Sequence, residues 1–187
     1  MAITQLDSTT ALLVIDLQKG VASIPSAHPI ANVLENASHL TAVFHKSKLP
    51  VVLVNVVGRA PGRTEQHLSG DALPPDWTEL VPELNRQPHD HLVSKRTWGA
   101  FTGTDLDSYL KSTGVTQVVV CGVATSMGVE STARQAHELG FNVTLVEDAM
   151  TDMSEEAHKN SVARIFPKLG ETGMTEEIVD LLSMRAA

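Results

Sequence analysis

The chain has 187 residues, 42% of them hydrophobic, and a formal net charge of −8, which suits one domain with a substantial core. Its 14 Lys and Arg residues are scattered rather than gathered in a run, which argues against a nucleic-acid backbone or an anionic membrane surface as partner. A single cysteine, Cys121, excludes an internal disulfide framework and fits a reducing compartment.

The amino terminus, MAITQLDSTT, lacks a basic region followed by an apolar core, and no apolar run approaches the roughly 18 residues of a spanning helix. The expectation is a soluble, cytoplasmic protein forming one domain over residues 1–187. Residues 11–15, ALLVI, are a short apolar run ending at Asp16, the pattern of a buried central strand with a carboxylate at its carboxyl end. Gln18 and Gly20 then leave the sheet. Over residues 30–48, Ile30, Val33, Leu34, Ala37, Leu40 and Phe44 recur every three or four positions, so the spacing predicts a long helix. Pro50 follows it, and residues 51–57 read as the second strand.

Residues 58–89 differ in kind, with Pro61, Pro74, Pro75, Pro82 and Pro88 among glycines and mixed charges. They predict a surface excursion, interrupted by one helical turn around Trp77, Leu80 and Val81, long enough to lid a pocket or build a subunit interface. Residues 91–94 predict a third strand leading to Lys95. Residues 101–111 predict a helix carrying Asp105, Leu106, Tyr109 and Leu110, with Gly114 placed to end it.

The chain is organised around residues 117–136, QVVVCGVATSMGVESTARQA. Val118, Val119 and Val120 make a buried strand, and a small-residue turn follows at residues 122–126. Val129, Thr132, Ala133 and Ala136 then fall at helical spacing, with Thr125 or Ser126 placed to cap the first turn. Beyond Gly140, residues 142–146 predict a fifth strand ending near Asp148 and residues 154–165 a further helix. Residue 168 onward suggests a sixth strand, and residues 175–184 a closing helix. Strands alternate with helices throughout, so the class is α/β with a mostly parallel sheet.

Asp16, Lys95 and the turn after Cys121 each lie where a predicted strand runs out. In a parallel sheet those ends point the same way, so residues far apart in sequence meet at one edge. A carboxylate beside an ammonium results: the cation favours the ionised acid while burial opposes it, and such a pair can pass protons near neutral pH.

The stretches ALLVIDLQ, KRTWGAF with the helix TDLDSYL, GVATSMGVESTARQA and VEDAM resemble the isochorismatase-like hydrolase superfamily, which also contains nicotinamidases and other cysteine hydrolases. The resemblance covers nearly the whole chain in order. It implies a three-layer α/β/α Rossmann-like sandwich around a six-stranded parallel sheet. It also implies a site built from Asp16, Lys95 and the residue at the start of the helix, with a cis peptide between Val123 and Ala124. Where the cysteine hydrolases carry their nucleophile, this chain has Gly128. Isochorismatases proper also have glycine there and hydrolyse a vinyl ether by protonation from the Asp. On that template Asp16 is a general acid, Lys95 positions it, and Gly128 lets substrate approach the helix N-terminus.

The expected substrate-binding set is Gln18, Trp98, Phe101, Val123, Ala124, Thr125 and Gly128, with Trp98 and Phe101 as an aromatic wall. Ser126 reads as a cap rather than a nucleophile, since no His is predicted beside it. Arg59 and Arg63 are placed to reach a substrate carboxylate from the excursion. The nicotinamidase metal motif, an Asp and two His after the second strand, is reduced here to His67, and His89 and His91 enter the third strand at its amino end. No catalytic metal and no cofactor are expected. The expected partner is a small-molecule substrate, and the resemblance implies a homo-oligomer, dimer or tetramer. Two other readings stay open: a catalytically weak ligand-binding member of the fold, and an amidohydrolase using Cys121, against which stands the burial of that thiol in a strand.

Overall fold

The computed structural model describes residues 3–65 and 73–185. The β-branched and aliphatic runs form the strands β1 (Thr10–Ile15), β2 (Val51–Val56), β3 (His91–Lys95), β4 (Gln117–Val123), β5 (Asn142–Thr151) and β6 (Glu171–Gly173). The segments with three-to-four spacing form α1 (Lys19–Ala22), α2 (Ile30–Lys46), α3 (Leu106–Ser112), α4 (Glu130–Glu138), α5 (Glu155–Asn160) and α6 (Thr175–Arg185). The six strands are all parallel, in the order β3-β2-β1-β4-β5-β6. The strand order reverses between β1 and β4, and ligands in open α/β sheets bind outside the carboxyl ends of the strands at such a point.

Because successive strand side chains point to opposite faces, each buried run feeds two cores. Leu12, Val14, Leu53, Val119 and Cys121 pack against Val33, Ala37, Leu40 and Phe44 of α2 and Ile178 and Leu182 of α6. Ala11, Leu13, Ile15, Val52, Val54, Val118 and Val120 pack on the other side against Leu106 and Leu110 of α3 and Ala133 and Ala136 of α4. Helices therefore cover both faces, the three-layer arrangement expected from the sequence. All six residues of β1 and all seven of β4 are buried, which is why these two strands read as continuous apolar runs rather than alternating ones. No helix among the described residues is long and apolar enough to cross a membrane.

The structure corrects several local expectations. The third helix begins at Leu106, not at residue 101, because the backbone N–H groups of Ala100 and Phe101 are bound to side chains of α4. β5 continues to Thr151, past an irregularity opposite Val120 to Gly122. The helix expected over residues 154–165 is α5 continued by a π-helical turn, Ser161–Ile165, and Ser154 caps it by accepting the Ala157 N–H at 3.2 Å. Around Trp77 there is a turn rather than a helix, followed by a short 3₁₀ helix, Pro82–Leu84. His67 lies outside the described residues.

The described part of the excursion is strapped onto the carboxyl end of β1. The Lys19, Gly20 and Val81 N–H groups donate to Glu79 O, Trp77 O and Leu17 O, and Asn55 Nδ2 donates to Thr78 O. A β-carbon at Gly20 would lie 2.0 Å from Trp77 Cδ1, so only glycine lets the indole lie there. The same holds more sharply at Gly122, with φ of 118° and an added β-carbon only 2.0 Å from Ile15 O. That close approach seats the end of β4 against the end of β1.

Candidate active site

Asp16 follows the last residue of β1 in a left-handed conformation, φ 52°, which Asp adopts more readily than most residues. Its N–H donates to Val54 O on β2 at 2.9 Å, fixing the turn that lifts its carboxyl group above the strand ends. Lys95 closes β3, two strands away, and its aliphatic stem spans β2. Nζ donates to Asp16 Oδ2 at 2.7 Å and to Thr97 O at 3.1 Å. Both side chains are buried, exposed by 1% and 8%. Asp16 Oδ1 is buried as well, and no hydrogen-bond partner reaches it among the described residues. Burial pushes the Asp16 carboxyl group up to about 6 from its ordinary 3.8, against the pull of the Lys95 ammonium.

β4 delivers the third component. The Val123–Ala124 peptide bond is cis. After it the chain forms a π-helical turn, Thr125–Val129, that runs into α4. Gly128 on this turn is buried against the carboxylate: a β-carbon there would lie 3.1 Å from Asp16 Oδ2, 3.0 Å from Ile15 Cγ2 and 3.4 Å from Val123 O. Ala124 O accepts the Met127 and Val129 N–H groups. Asp16, Lys95, Val123, Ala124 and Gly128 are thus brought together at the switch point.

Other members of the expected set are placed differently. Gln18 is fully buried, and its amide is consumed by structure: Oε1 accepts the Val56 N–H at 2.7 Å, while Nε2 donates to Val56 O at 3.1 Å and Trp77 O at 3.0 Å. It ties β1, β2 and the excursion together rather than presenting donors to the crevice. Thr125 and Ser126 do not cap the helix through their hydroxyls. Thr125 is fully buried with Oγ1 2.8 Å from His158 Nδ1. The Ser126 N–H and Oγ both donate to Asp152 Oδ2, at 2.7 and 2.8 Å. His158 also meets His28 edge to face at 4.6 Å, and burial, then His28, lowers its pKa, so the imidazole favours its neutral form. Trp98 stands out from the surface, 64% exposed, while the half-buried Phe101 packs on Phe141, 6.0 Å between centroids. Phe141 precedes β5 at the amino edge of the sheet, so Phe101 packs on the second core. Arg59 and Arg63 are exposed.

Cys121 is fully buried in the first core, and burial, reinforced by Asp148, pushes its thiol up to about 12. A thiol held that firmly in its protonated form is inert as a nucleophile, which removes the reading that used it.

The sequence reading missed the residues that hold the site's walls. Thr132 Oγ1 accepts the Ala100 N–H at 3.1 Å and donates to Gly128 O at 2.7 Å. Gln135 Oε1 accepts the Phe101 N–H and its Nε2 donates to Thr102 Oγ1. A β-carbon at Gly99 would lie 2.1 Å from Gln135 Oε1. The inner face of α4 therefore binds the loop that follows Lys95. Helical periodicity pointed to Thr132 only as a face position; its hydroxyl work depends on a partner 32 residues away.

This arrangement can hold a proton on a buried carboxyl group beside a fixed cation, next to Gly128, which carries no side chain. Comparison with known proteins places the fold in a family. The isochorismatase domain model matches residues 10–177. The chain is 40% identical over 178 residues to the isochorismatase family protein YwoC of Bacillus subtilis, covering 91% of this chain and 93% of that one. It is 32% identical over 162 residues to Nicotinamidase 3 of Arabidopsis thaliana, covering 83% and 79%. An isochorismatase family protein from Burkholderia thailandensis superposes with a TM-score of 0.91 at 38% identity, covering 96% of this chain and 98% of that one. A fold with Asp16 and Lys95 joined at its switch point, matched along nearly its whole length, belongs to the isochorismatase-like hydrolase family.

Proposed function

We propose that the protein hydrolyses a small organic metabolite by acid catalysis from Asp16, positioned by Lys95, with no cysteine nucleophile. The observation that carries this reading is the asymmetry of the Asp16 carboxyl group. Oδ2 accepts the Lys95 ammonium at 2.7 Å, while Oδ1 is buried and unpartnered among the described residues. A proton on the group therefore resides on Oδ1. The raised pKa, about 6, keeps roughly a tenth of the free enzyme protonated at pH 7. Lys95, held by Thr97 O, stabilises the negative charge left on the Asp16 carboxylate after the proton has gone. Gly128 keeps a side chain off the carboxyl group, since a β-carbon there would stand 3.1 Å from Oδ2. Water then completes the hydrolysis.

The test is a screen of vinyl ethers, amides and esters followed by Asp16→Asn on the best substrate. General acid catalysis contributes about 10²–10⁴-fold, so kcat should fall by that order with little change in KM. Unchanged turnover in the variant would overturn the assignment. The same reading includes assembly as a dimer or tetramer, and light scattering of the purified protein should return a multiple of the 20.1 kDa chain; the monomer mass would reject it.

A further inference from the structure

The amino edge of the sheet, opposite the edge that carries Asp16 and Lys95, holds a second group of chemically capable side chains. His45 stands in the last turn of α2, and His89 and Asp90 form the turn that enters β3. One donor atom from each lies within 4.8 Å of the other two. We propose that His45, His89 and Asp90 bind one first-row divalent transition-metal ion, of the Zn²⁺ or Ni²⁺ class.

The carboxylate is already fixed for that role. The Asp90 side chain is fully buried, with Oδ1 2.7 Å from His45 Nε2 and Oδ2 accepting the Gln87 N–H at 2.7 Å. Two ligands at about 2.1 Å from an ion sit about 3 Å apart at right angles and about 3.4 Å apart at the tetrahedral angle that Zn²⁺ prefers. The His45 to Asp90 spacing is close to that, so an ion enters between them with a small opening of the pair and takes the place of their mutual contact. His89 is exposed, its ring 5.4 Å from that of His45, which gives the ion a path from solvent and leaves its remaining positions to water. Two imidazoles with one carboxylate and no thiolate suit Zn²⁺, Ni²⁺ or Cu²⁺ rather than Mg²⁺ or Ca²⁺, which take oxygen shells. The last turn of a helix also carries the partial negative charge that favours a cation.

The ion ties the end of α2 to the start of β3. Lys95 lies at the far end of that strand, about 16 Å from Asp90 by strand rise, so the metal takes no part in the chemistry at Asp16 and acts on stability. Protein stripped with chelator and titrated with Zn²⁺, Ni²⁺ and Co²⁺ should bind one equivalent saturably, develop visible Co²⁺ absorption bands, and gain melting temperature with each ion. His89→Ala removes an exposed side chain without opening the core and should weaken binding at least tenfold. His45→Ala should do the same, and His67→Ala and His137→Ala should leave binding intact. If His45→Ala fails to fold, His89→Ala decides alone. Absence of saturable binding, or binding of one equivalent that survives His89→Ala, would overturn the proposal.

Discussion

One carboxyl oxygen separates this site from an ordinary buried ion pair. Asp16 Oδ2 is satisfied by Lys95 and Oδ1 has no partner among the described residues, so a proton on the group sits on Oδ1. If the protonated form is the working one, kcat/KM should fall as pH rises through about 6, tenfold per unit above it, in a pH–rate profile on the best substrate of the screen. A profile rising through the same pH would assign Asp16 as a base instead. Gly128 makes the complementary prediction. Its missing β-carbon would stand 3.1 Å from Oδ2, in tight but not impossible contact. Gly128→Ala should keep the protein folded, since Ala gains about 1 kcal/mol of helix propensity against the crowding, while kcat/KM drops about 10-fold or more. Steady-state kinetics and a melting curve on the same preparation separate the two effects.

Among the elements, α4 does more than cover the sheet. Its Ala133 and Ala136 fill the second core, while Thr132 and Gln135, on the flank of that face, hold the loop between Lys95 and α3. The Ala100 N–H and the Thr132 hydroxyl are both buried, so Thr132→Val keeps the shape and leaves a buried donor unpaired. The expected loss is about 1–3 kcal/mol in denaturant unfolding, together with a raised KM as the loop loosens. The excursion is held in a comparable way through Gln18, whose amide spans three segments of chain.

For the whole molecule, the site is a cost to stability rather than a support. A carboxyl group whose folded pKa stands above its unfolded value favours the fold below about pH 3.8 and loses that contribution as pH rises through about 6. A rise from 3.8 to about 6 corresponds to about 3 kcal/mol between those limits. Breaking a buried pair from one side is worse, about 3–5 kcal/mol, whereas replacing both partners by apolar or neutral groups is often neutral. Lys95→Met should therefore destabilise strongly at pH 7, and Asp16→Asn combined with Lys95→Met should be more stable than the sum of the single changes allows. Urea unfolding of the four proteins in the cycle measures the coupling, and strict additivity would contradict it.

The alternation of β-branched runs with helically spaced ones was enough to place the α/β class, the parallel sheet, and Asp16 and Lys95 at strand ends on one edge. Burial of Cys121 was legible for the same reason, because a continuous apolar run in a parallel sheet is enclosed on both faces. Those are properties of short windows of chain. Only the tertiary structure decided that the amide of Gln18 serves the backbone of β2 and the excursion, that Asp152 rather than a local hydroxyl satisfies the Ser126 N–H, and that His158 stands beside Thr125. It likewise turned Phe101 toward Phe141 and carried β5 on to Thr151. The partners in these contacts lie between 26 and 59 residues apart in the chain, and a hydrogen bond or a ring contact across that distance follows from how layers pack, which no local periodicity encodes.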